Sequence, residues 1–301
     1  MMHKRNKRKN FGYMMTLAGG ACWGLSGCCG QFLFEQKGAT AEWLVALRLI
    51  FAGAVLAGLG FLRDGKANVR VFKNKKDTIR LLIFAFAGIW ACQYTYFAAI
   101  EHSNAGTATV LQYLFPVFIL ILVCLEEMRG PVGIEIFAIL LSIAGTVVLG
   151  THGDITTLHM TPAALFYGLA AAVGAVLYNM LPGNLIRKYG LFQIAGFGMF
   201  LAGAVFCLLV RPWRYSVIWD GGTVLAMIGV VIVGTTIGFG LYLWGVSIIG
   251  PLEGSLLASI EPVVAVVLSA LWLHTSFTWM DLAGFAMIMC TVLILTRRSS
   301  V

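Results

Sequence analysis

The chain has 301 residues, of which 59% are hydrophobic and 11% are charged, and its mean hydropathy is +0.88. A water-soluble domain carries roughly a quarter charged residues, so this composition excludes an ordinary soluble protein. The formal net charge is +8. The basic residues lie in short segments between apolar runs, which is typical of membrane topology signals and argues against a nucleic-acid partner. We expect them to contact membrane lipids.

Long apolar runs recur along the whole chain, and each can cross a bilayer as a helix. The basic start resembles a signal peptide, but its apolar run continues past Gly30 without a convincing cleavage site, so we expect an uncleaved first helix. The fold class is therefore an all-α membrane protein with ten transmembrane helices. The predicted spans are residues 11–34, 41–62, 80–101, 104–124, 132–150, 162–182, 191–210, 222–246, 253–273 and 279–296.

The distribution of Lys and Arg predicts the orientation of these spans. With the N-terminus inside, the outer segments carry only Lys37, Arg211 and Arg214. The inner segments carry Lys4, Arg5, Lys7, Arg8, Lys9, the cluster from Arg63 to Arg80, Arg129, Arg187, Lys188, Arg297 and Arg298. Cytoplasmic loops are enriched in these residues. We therefore expect a multi-pass protein of the cell inner membrane with both termini in the cytoplasm and the 151–161 connection outside.

The chain repeats itself. Residues 97–149 align without a gap on residues 243–295, which places Pro116 on Pro262. A proline match inside two corresponding apolar helices is hard to attribute to chance. We predict two homologous five-helix domains, 11–150 and 162–296. Because five is odd, the second domain enters the membrane from the opposite side, and such inverted repeats are typical of secondary transporters.

Four stretches carry a resemblance to a known family. They are Trp23-Gly24-Leu25-Ser26 in the first span, Arg48 in the second, AGTATVLQYLFP at residues 105–116, and Glu261-Pro262. In this order, and with the duplication, the chain resembles the drug/metabolite transporter superfamily and, within it, the ten-helix EamA family with two EamA repeats. The resemblance covers nearly the whole chain. It implies a bacterial inner-membrane carrier of metabolites or amino acids that often works in the export direction, and it implies no particular substrate.

The paired prolines predict hinges. Proline inside a helix removes one hydrogen bond and pushes on the carbonyl four residues back, which here belongs to Gln112 or Ala258. At repeat-equivalent positions, Pro116 and Pro262 indicate broken helices that line a pathway. Purely structural kinks are the alternative.

Two charged residues, Arg48 and Glu261, fall well inside predicted spans. A charge near mid-bilayer costs at least ~2.5–3.5 kcal/mol on insertion scales, so both should face the bundle interior and need partners. One hypothesis is a structural Arg48–Glu261 ion pair or two separately hydrogen-bonded anchors. The other is solute or proton coupling at Glu261, with Arg48 tuning it.

Polar and aromatic residues within the spans are candidates for a substrate-binding cavity. Gln112, Tyr113 and Pro116 share one helical face, as do Gln93 and Tyr96. The complete predicted set is Gln93, Tyr96, Gln112, Tyr113, Tyr178, Asn179, Tyr242 and Ser259. A mixed aromatic and amide lining suits a small amphipathic organic solute. Interhelical hydrogen bonds and aromatic packing are the alternative for each residue.

We therefore expect a secondary transporter, an exporter rather than an enzyme, that moves small amphipathic metabolites such as amino acids by alternating access, with proton coupling as a hypothesis. Gly24-Leu25-Ser26-Gly27 matches the GxSG pattern of rhomboid-type intramembrane proteases, but no histidine lies at membrane depth to activate Ser26. A channel is the third hypothesis, disfavoured by the inverted repeat. The sequence has no metal-binding or phosphate-binding motif, so we expect no cofactor. A homodimer is compatible with the sequence.

Overall fold

The computed structural model describes residues 2–152, 154, 159–249, 254 and 257–298, and these residues contain helices and no β-strand. The chain is a multi-pass α-helical membrane protein. Its first part contains α1 (Met2–Lys37), α2 (Ala41–Asp64), a 3-10 helix (Gly65–Lys73), α3 (Lys75–Ile83), a π-helical segment (Phe84–Trp90), α4 (Ala91–Glu101), α5 (Ala105–Gln112), α6 (Phe115–Glu126) and α7 (Gly133–Thr151).

The second part is built in the same way, with a short extra helix between its first two long ones. It contains α8 (Pro162–Met180), α9 (Gly183–Tyr189), α10 (Leu191–Val210), a 3-10 turn (Pro212–Arg214), α11 (Gly221–Ile228), a second π-helical segment (Gly229–Ile237), α12 (Gly238–Ile249), α13 (Ile260–Trp272) and α14 (Trp279–Arg298).

Within the part of the chain that the structure describes, seven helical segments are long and apolar enough to cross a bilayer: Ala41–Arg63, Lys75–Glu101, Ala105–Glu126, Gly133–Thr151, Pro162–Met180, Leu191–Arg214 and Gly221–Ile249. Two more apolar helices are shorter, Ile260–Trp272 and Trp279–Leu295. The predicted count of ten spans is thus met only in part. The predicted ninth span begins at residue 253, and that residue, like most of the 153–158 connection, lies outside the described residues.

The predicted boundaries need correction at several connections. Helix α1 begins at Met2 rather than at residue 11, because a helix continues beyond the hydrocarbon where its hydrogen bonds remain internal. The third long helix begins at Lys75 rather than at residue 80. The 3-10 helix and α9 were not predicted, because both are short and polar and lack the long apolar run that marks a span.

Local features recur at matching positions of the two parts. The register that places Pro116 on Pro262 also places Phe84–Trp90 on residues 230–236, inside the second π-helical segment. It places Glu135 on Asp281 as well. The Glu135 carboxylate accepts from the backbone N–H of Val132 at 2.8 Å, and the Asp281 carboxylate accepts from that of Thr278, also at 2.8 Å. Each carboxylate therefore caps the start of its helix, α7 or α14, in the same way.

The helices of the two parts interlock, and the packing is reciprocal. Helix α1 packs against α12, and its counterpart α8 packs against α4; α2 packs against α10, and α7 against α14. Small residues permit the closest approaches. A Cβ added to Gly53 of α2 would lie 2.4 Å from the backbone nitrogen of Phe200 in α10, so no larger residue fits there without a shift. This interlocking places side chains from both parts around one central cavity.

Candidate functional site

The central cavity has a volume of about 650 Å³, which is large enough for a small organic molecule. Elements from both parts of the chain line it, and their contributions are mainly aromatic and polar at one end and aliphatic at the other. The lining residues are Trp23, Ser26, Arg48, Cys92, Gln93, Tyr96, Gln112, Tyr113, Phe115, Pro116, Ile119, Leu120, Val123, Arg129, Glu135, Ala175, Tyr178, Asn179, Phe239, Tyr242, Ala258, Glu261, Val292 and Leu295.

The structure brings together nearly all the residues singled out in the sequence. The lining includes Gln93, Tyr96, Gln112, Tyr113, Tyr178, Asn179 and Tyr242 from the predicted substrate-binding set, together with Arg48, Glu261 and Pro116. Ser259 and Pro262 are absent from it. Ser259 occupies the turn immediately before α13, where successive side chains do not share a face, and it is buried outside the cavity. The binding roles of these residues remain predictions.

Each of the paired prolines follows a turn. Helix α5 ends at Gln112, and α6 begins at Phe115 with Pro116 in its first turn, where a missing N–H costs nothing. Ser259 forms the corresponding turn, and Pro262 lies in the first turn of α13. Residues at both turns line the cavity, including Tyr113 and Ala258. This arrangement is expected of helices that line a transport pathway.

Tyr113 connects the two breaks. Its hydroxyl oxygen lies 2.9 Å from the carbonyl oxygen of Ala258 and 3.0 Å from Oε2 of Glu261. Ala258 is the residue whose carbonyl Pro262 deprives of a helical N–H donor. A side chain at the first break therefore supplies the donor that is missing at the second.

Arg48 is the uncompensated charge of the cavity. Its side chain is buried, and its guanidinium lies 4.9 Å from the centroid of the Phe97 ring. No hydrogen bond or ion pair within the described part of the chain involves Arg48. Arg48 and Glu261 therefore form no direct ion pair in this structure, where the Glu261 carboxylate contacts Tyr113, and the roles of both residues stay predictions.

Further polar atoms in the lining lack protein partners. Trp23 Nε1, Ser26 Oγ and Gln93 Oε1 are buried and have no hydrogen-bond partner among the described residues. By contrast, the Tyr96 hydroxyl bonds to Thr109 at 2.8 Å, and the Asn179 amide donates to the carbonyl of Ala175 at 2.7 Å. Buried polar groups normally find partners, so these three atoms are exceptions among the lining residues.

Trp23 and Ser26 both line the cavity. Trp23 also contacts Tyr242, at 5.0 Å between ring centroids. The sequence contained a signal for the position of Trp23 in the lining. Trp23 lies three residues before Ser26, so the two side chains share one face of the helix. Among the described residues, no base is hydrogen-bonded to Ser26 Oγ.

One end of the cavity reaches the connection between α6 and α7. Arg129 donates two hydrogen bonds to the Glu135 carboxylate, at 2.9 and 3.1 Å, and a third to Glu127 at 2.6 Å. These bonds raise the pKa of Arg129 further above its usual value, so the guanidinium stays charged. Sequence reasoning missed this pair. The sequence contained a signal for it along one face of α6, which carries Pro116, Ile119, Leu120 and Val123. These four residues line the cavity between the Tyr113 turn and Arg129.

A hydrogen-bonded cluster around Gln31 lies at the other end of the helical segment Ala105–Glu126. The Gln31 amide donates to Glu35 at 2.7 Å and to Thr275 at 2.9 Å. Its carbonyl oxygen accepts from the backbone N–H of Ala105 at 2.9 Å and from the Ser269 hydroxyl at 3.0 Å. Ala105 is the first residue of the segment formed by α5 and α6, which ends at Glu126, near Arg129. The Gln31 cluster and the Arg129 cluster therefore lie at opposite ends of this segment.

An exposed ion pair reinforces the Gln31 end. Lys37 Nζ lies 2.6 Å from Asp220 Oδ2, and the carbonyl of Lys37 accepts from the backbone N–H of Ile218 at 3.0 Å. The hydrogen bond from Lys37, supported by the backbone N–H of Thr223, lowers the pKa of Asp220 to about 2.

Comparison with known proteins adds the family. The profile of the EamA-like transporter family matches residues 10–151 and again residues 162–297. A Salmonella typhimurium protein described as uncharacterized inner membrane transporter YicL is 36% identical over 288 residues, which covers 96% of each chain. An uncharacterized transporter of Archaeoglobus fulgidus is 25% identical over 274 residues, covering 91% of this chain and 93% of that protein. One crystal structure matches with a TM-score of 0.61 at 19% identity, and the match covers 98% of this chain and 99% of the other. At this identity the match supports a shared fold and no shared function.

Proposed function

Because the chain belongs to the EamA-like transporter family, we propose that it is a secondary transporter that exports small amphipathic organic metabolites, such as amino acids, by alternating access. The observation that carries the solute class is the charge arrangement of the cavity. Arg48 lines it without a partner among the described residues, and Glu261 lines the same space. The carboxylate of an amino acid can bind Arg48, and its ammonium group can bind Glu261. The aromatic lining suits the apolar side chain of the amino acid.

The proposed architecture consists of ten transmembrane helices in two inverted five-helix EamA repeats, 11–150 and 162–296. Three features support it: the double match to the family profile, the matching π-helical segments, and the equivalent caps of α7 and α14. The Lys/Arg asymmetry supports cytoplasmic termini. The name of the Salmonella relative supports an inner-membrane location.

This orientation also gives the proposed direction of transport. It puts the Arg129 end of the cavity towards the cytoplasm and the closed Gln31 end towards the outside. A solute would then load from the cytoplasm into the cavity, and it would leave after the Gln31 cluster opens. Loading from inside is the first step of export.

Proton coupling at Glu261 is the proposed driving mechanism. A carboxylate that holds an ammonium group cannot hold a proton at the same time, so solute and proton compete for Glu261. If each is carried when the other is absent, inward proton movement drives outward solute movement. The sequence offers no nucleotide-binding motif as an alternative energy source.

The test is a competition screen on purified protein in liposomes. Labelled L-phenylalanine inside the vesicles should exchange for unlabelled amino acids outside with saturable kinetics. Amino acids should compete better than their methyl esters or decarboxylated amines, because each of these analogues lacks the carboxylate. Flux that never saturates would support the channel hypothesis. No competition by any amino acid would remove this solute class.

A further inference from the structure

We propose that Tyr113 is a positioning residue that transmits the protonation state of Glu261 to the helix break at Ala258, by directing its one hydroxyl hydrogen to either of two oxygen atoms. The inference deepens the proposed function, since it rests on proton coupling at Glu261. It assigns to Tyr113 a role beyond solute binding.

The starting point is the number of hydrogens. The Tyr113 hydroxyl oxygen is within hydrogen-bond distance of both Ala258 O, at 2.9 Å, and Glu261 Oε2, at 3.0 Å. A phenol has one hydrogen to donate and can also accept. Both short distances are fully satisfied only when the Glu261 carboxyl carries a proton. Its O–H then donates to Tyr113, and the Tyr113 O–H donates to the Ala258 carbonyl.

Loss of the proton changes this arrangement. An ionised Glu261 cannot donate, and it becomes the stronger of the two acceptors because hydrogen bonds to charged groups are the stronger ones. The Tyr113 hydrogen then turns to the carboxylate. The Ala258 carbonyl, which Pro262 already deprives of its helical donor, loses its replacement as well.

The position of this bond gives it mechanical importance. Tyr113 lies in the break between α5 and α6, and Ala258 lies just before the break that precedes α13. The bond therefore joins the broken helices of the two parts of the chain across 145 residues of sequence. Protonation of Glu261 makes this bond between the two parts, and ionisation removes it. Such transporters change the side that is open by moving one repeat against the other around the solute site, so the bond favours one arrangement of the two parts over the other.

Other ionisable groups share the cavity with Glu261 and set its local charge. Arg48 faces it from α2, Cys92 and Tyr96 from α4, Tyr178 from α8, and Tyr242 from α12. The Arg129–Glu135 pair at the end of the cavity is internally compensated. Arg48 is thus the one cation without an ion pair among the described lining residues, and an anionic group of the solute would pair with it.

The experiment is a pH titration followed by infrared difference spectroscopy, on solute-free protein in lipid nanodiscs. A protonated-carboxyl C=O band should appear as the pH falls and should be missing in Glu261→Gln. In Tyr113→Phe the band should move to higher wavenumber, because the carboxyl O–H has lost its acceptor. Tyr215→Phe is the matched control, since Tyr215 lies in the loop after Arg214, away from the cavity, and should leave the band in place.

A second readout is the pH dependence of amino-acid counterflow in liposomes. The wild-type rate should change by about tenfold across the titration, the difference expected from one hydrogen bond. Tyr113→Phe should flatten this profile, and Glu261→Gln should fix the rate near the wild-type low-pH value. A wild-type band position together with a wild-type pH profile in Tyr113→Phe would overturn the inference.

Replacement of Tyr113 by 3-fluorotyrosine covers the case in which Tyr113→Phe fails to fold. The ring and hydroxyl are kept, but the more acidic hydroxyl donates more strongly to a carboxylate, so the Glu261 titration should move to lower pH. An unchanged midpoint would contradict the inference. The infrared measurement needs no solute, so its result stands even if no amino acid is transported, which separates failure of this inference from failure of the proposed function.

Discussion

Arg48 and Glu261 line the same cavity and do not pair with each other. None of the ion pairs found within residues 2–152, 154, 159–249, 254 and 257–298 joins them. A buried guanidinium without an ion-paired carboxylate is costly in a membrane, and this cost motivates the role proposed for Arg48 in solute binding. The two charges are available to a solute that carries both signs.

Arg48→Gln should therefore weaken the binding of amino acids. A hydrogen bond to a charged group contributes about 1.5–3 kcal/mol, so the apparent affinity should fall roughly tenfold to a hundredfold. The affinity for an amino-acid methyl ester should stay nearly the same, because it has no carboxylate to lose. Competition of counterflow measures both. Arg187→Gln, a change at an exposed position outside the cavity, is the control, and equal losses for acid and ester would argue against carboxylate recognition.

Glu261→Gln should separate exchange from accumulation. The amide keeps the shape and hydrogen-bonding capacity of the side chain but cannot titrate. We expect the variant to fold and exchange solute, yet to lose accumulation driven by a pH gradient. Glu126→Gln, at the exposed end of α6, should behave as the wild type does. Wild-type accumulation in Glu261→Gln would remove the coupling role, and loss of folding would support a structural one.

Gly53→Ala should destabilise the contact between α2 and α10. Its new Cβ would lie 2.4 Å from the Phe200 backbone nitrogen, and overpacking of this kind typically costs about 1–3 kcal/mol. Gly58→Ala in the same helix is the matched control, since a Cβ there meets no atom within 4 Å. Alanine also favours helix, so Gly58→Ala should be neutral or stabilising by up to ~1 kcal/mol. Thermal unfolding in detergent compares the two, and equal midpoints would show that the interface adapts.

Asp220→Asn should alter the rate of transport without altering its pH profile near neutrality. The folded-state pKa of Asp220 is lowered to about 2 from an ordinary 3.8. The contribution of a carboxylate with a lowered pKa is complete above its ordinary pKa and is lost as the pH falls towards the folded value. The Lys37–Asp220 pair is therefore intact at every pH used for transport. A displaced pH midpoint in Asp220→Asn would show that a second group titrates with it.

Orientation is tested by labelling single cysteines at Lys75 and Ser216, two exposed positions that the ten-helix topology puts on opposite sides. Lys75→Cys should react only after membranes are opened, and Ser216→Cys should react in intact cells. The exposed Cys290 should first be changed to serine to remove background. Reaction of both positions from one side would overturn the inverted repeat.

Much of the fold was predictable from sequence because long apolar runs leave the chain few alternatives in lipid. The cavity was predictable in outline for a related reason. Polar residues such as Gln112 and Asn179 are costly against lipid, so they must face inwards, and only a few interior surfaces exist. Ser259 is absent from the lining, because it lies in the turn before α13, and its predicted role in binding stays a prediction.

The partners of individual groups were not predictable. Pro262 correctly indicated a carbonyl without its helical donor at Ala258, but no local pattern indicates that Tyr113, 145 residues away, supplies the replacement. Likewise, the sequence allowed an ion pair between Arg48 and Glu261. Whether the pair forms depends on which side chains pack beside each residue, and the packing of the two parts of the chain determines those neighbours.

In the proposed transport cycle, the cluster around Gln31 would determine how rarely the outer end of the cavity opens. Its four hydrogen bonds satisfy every donor and acceptor of the Gln31 amide. At a net contribution of about 1 kcal/mol each, they total about 4 kcal/mol, which corresponds to roughly one molecule in a thousand with this cluster open. Such a minor population limits leakage of solutes across the membrane at rest. This open population is still large enough for a bound solute to increase it, if the solute has a higher affinity for the open form. The barrier to leakage and the change between closed and open forms would then both depend on the hydrogen bonds of the Gln31 amide.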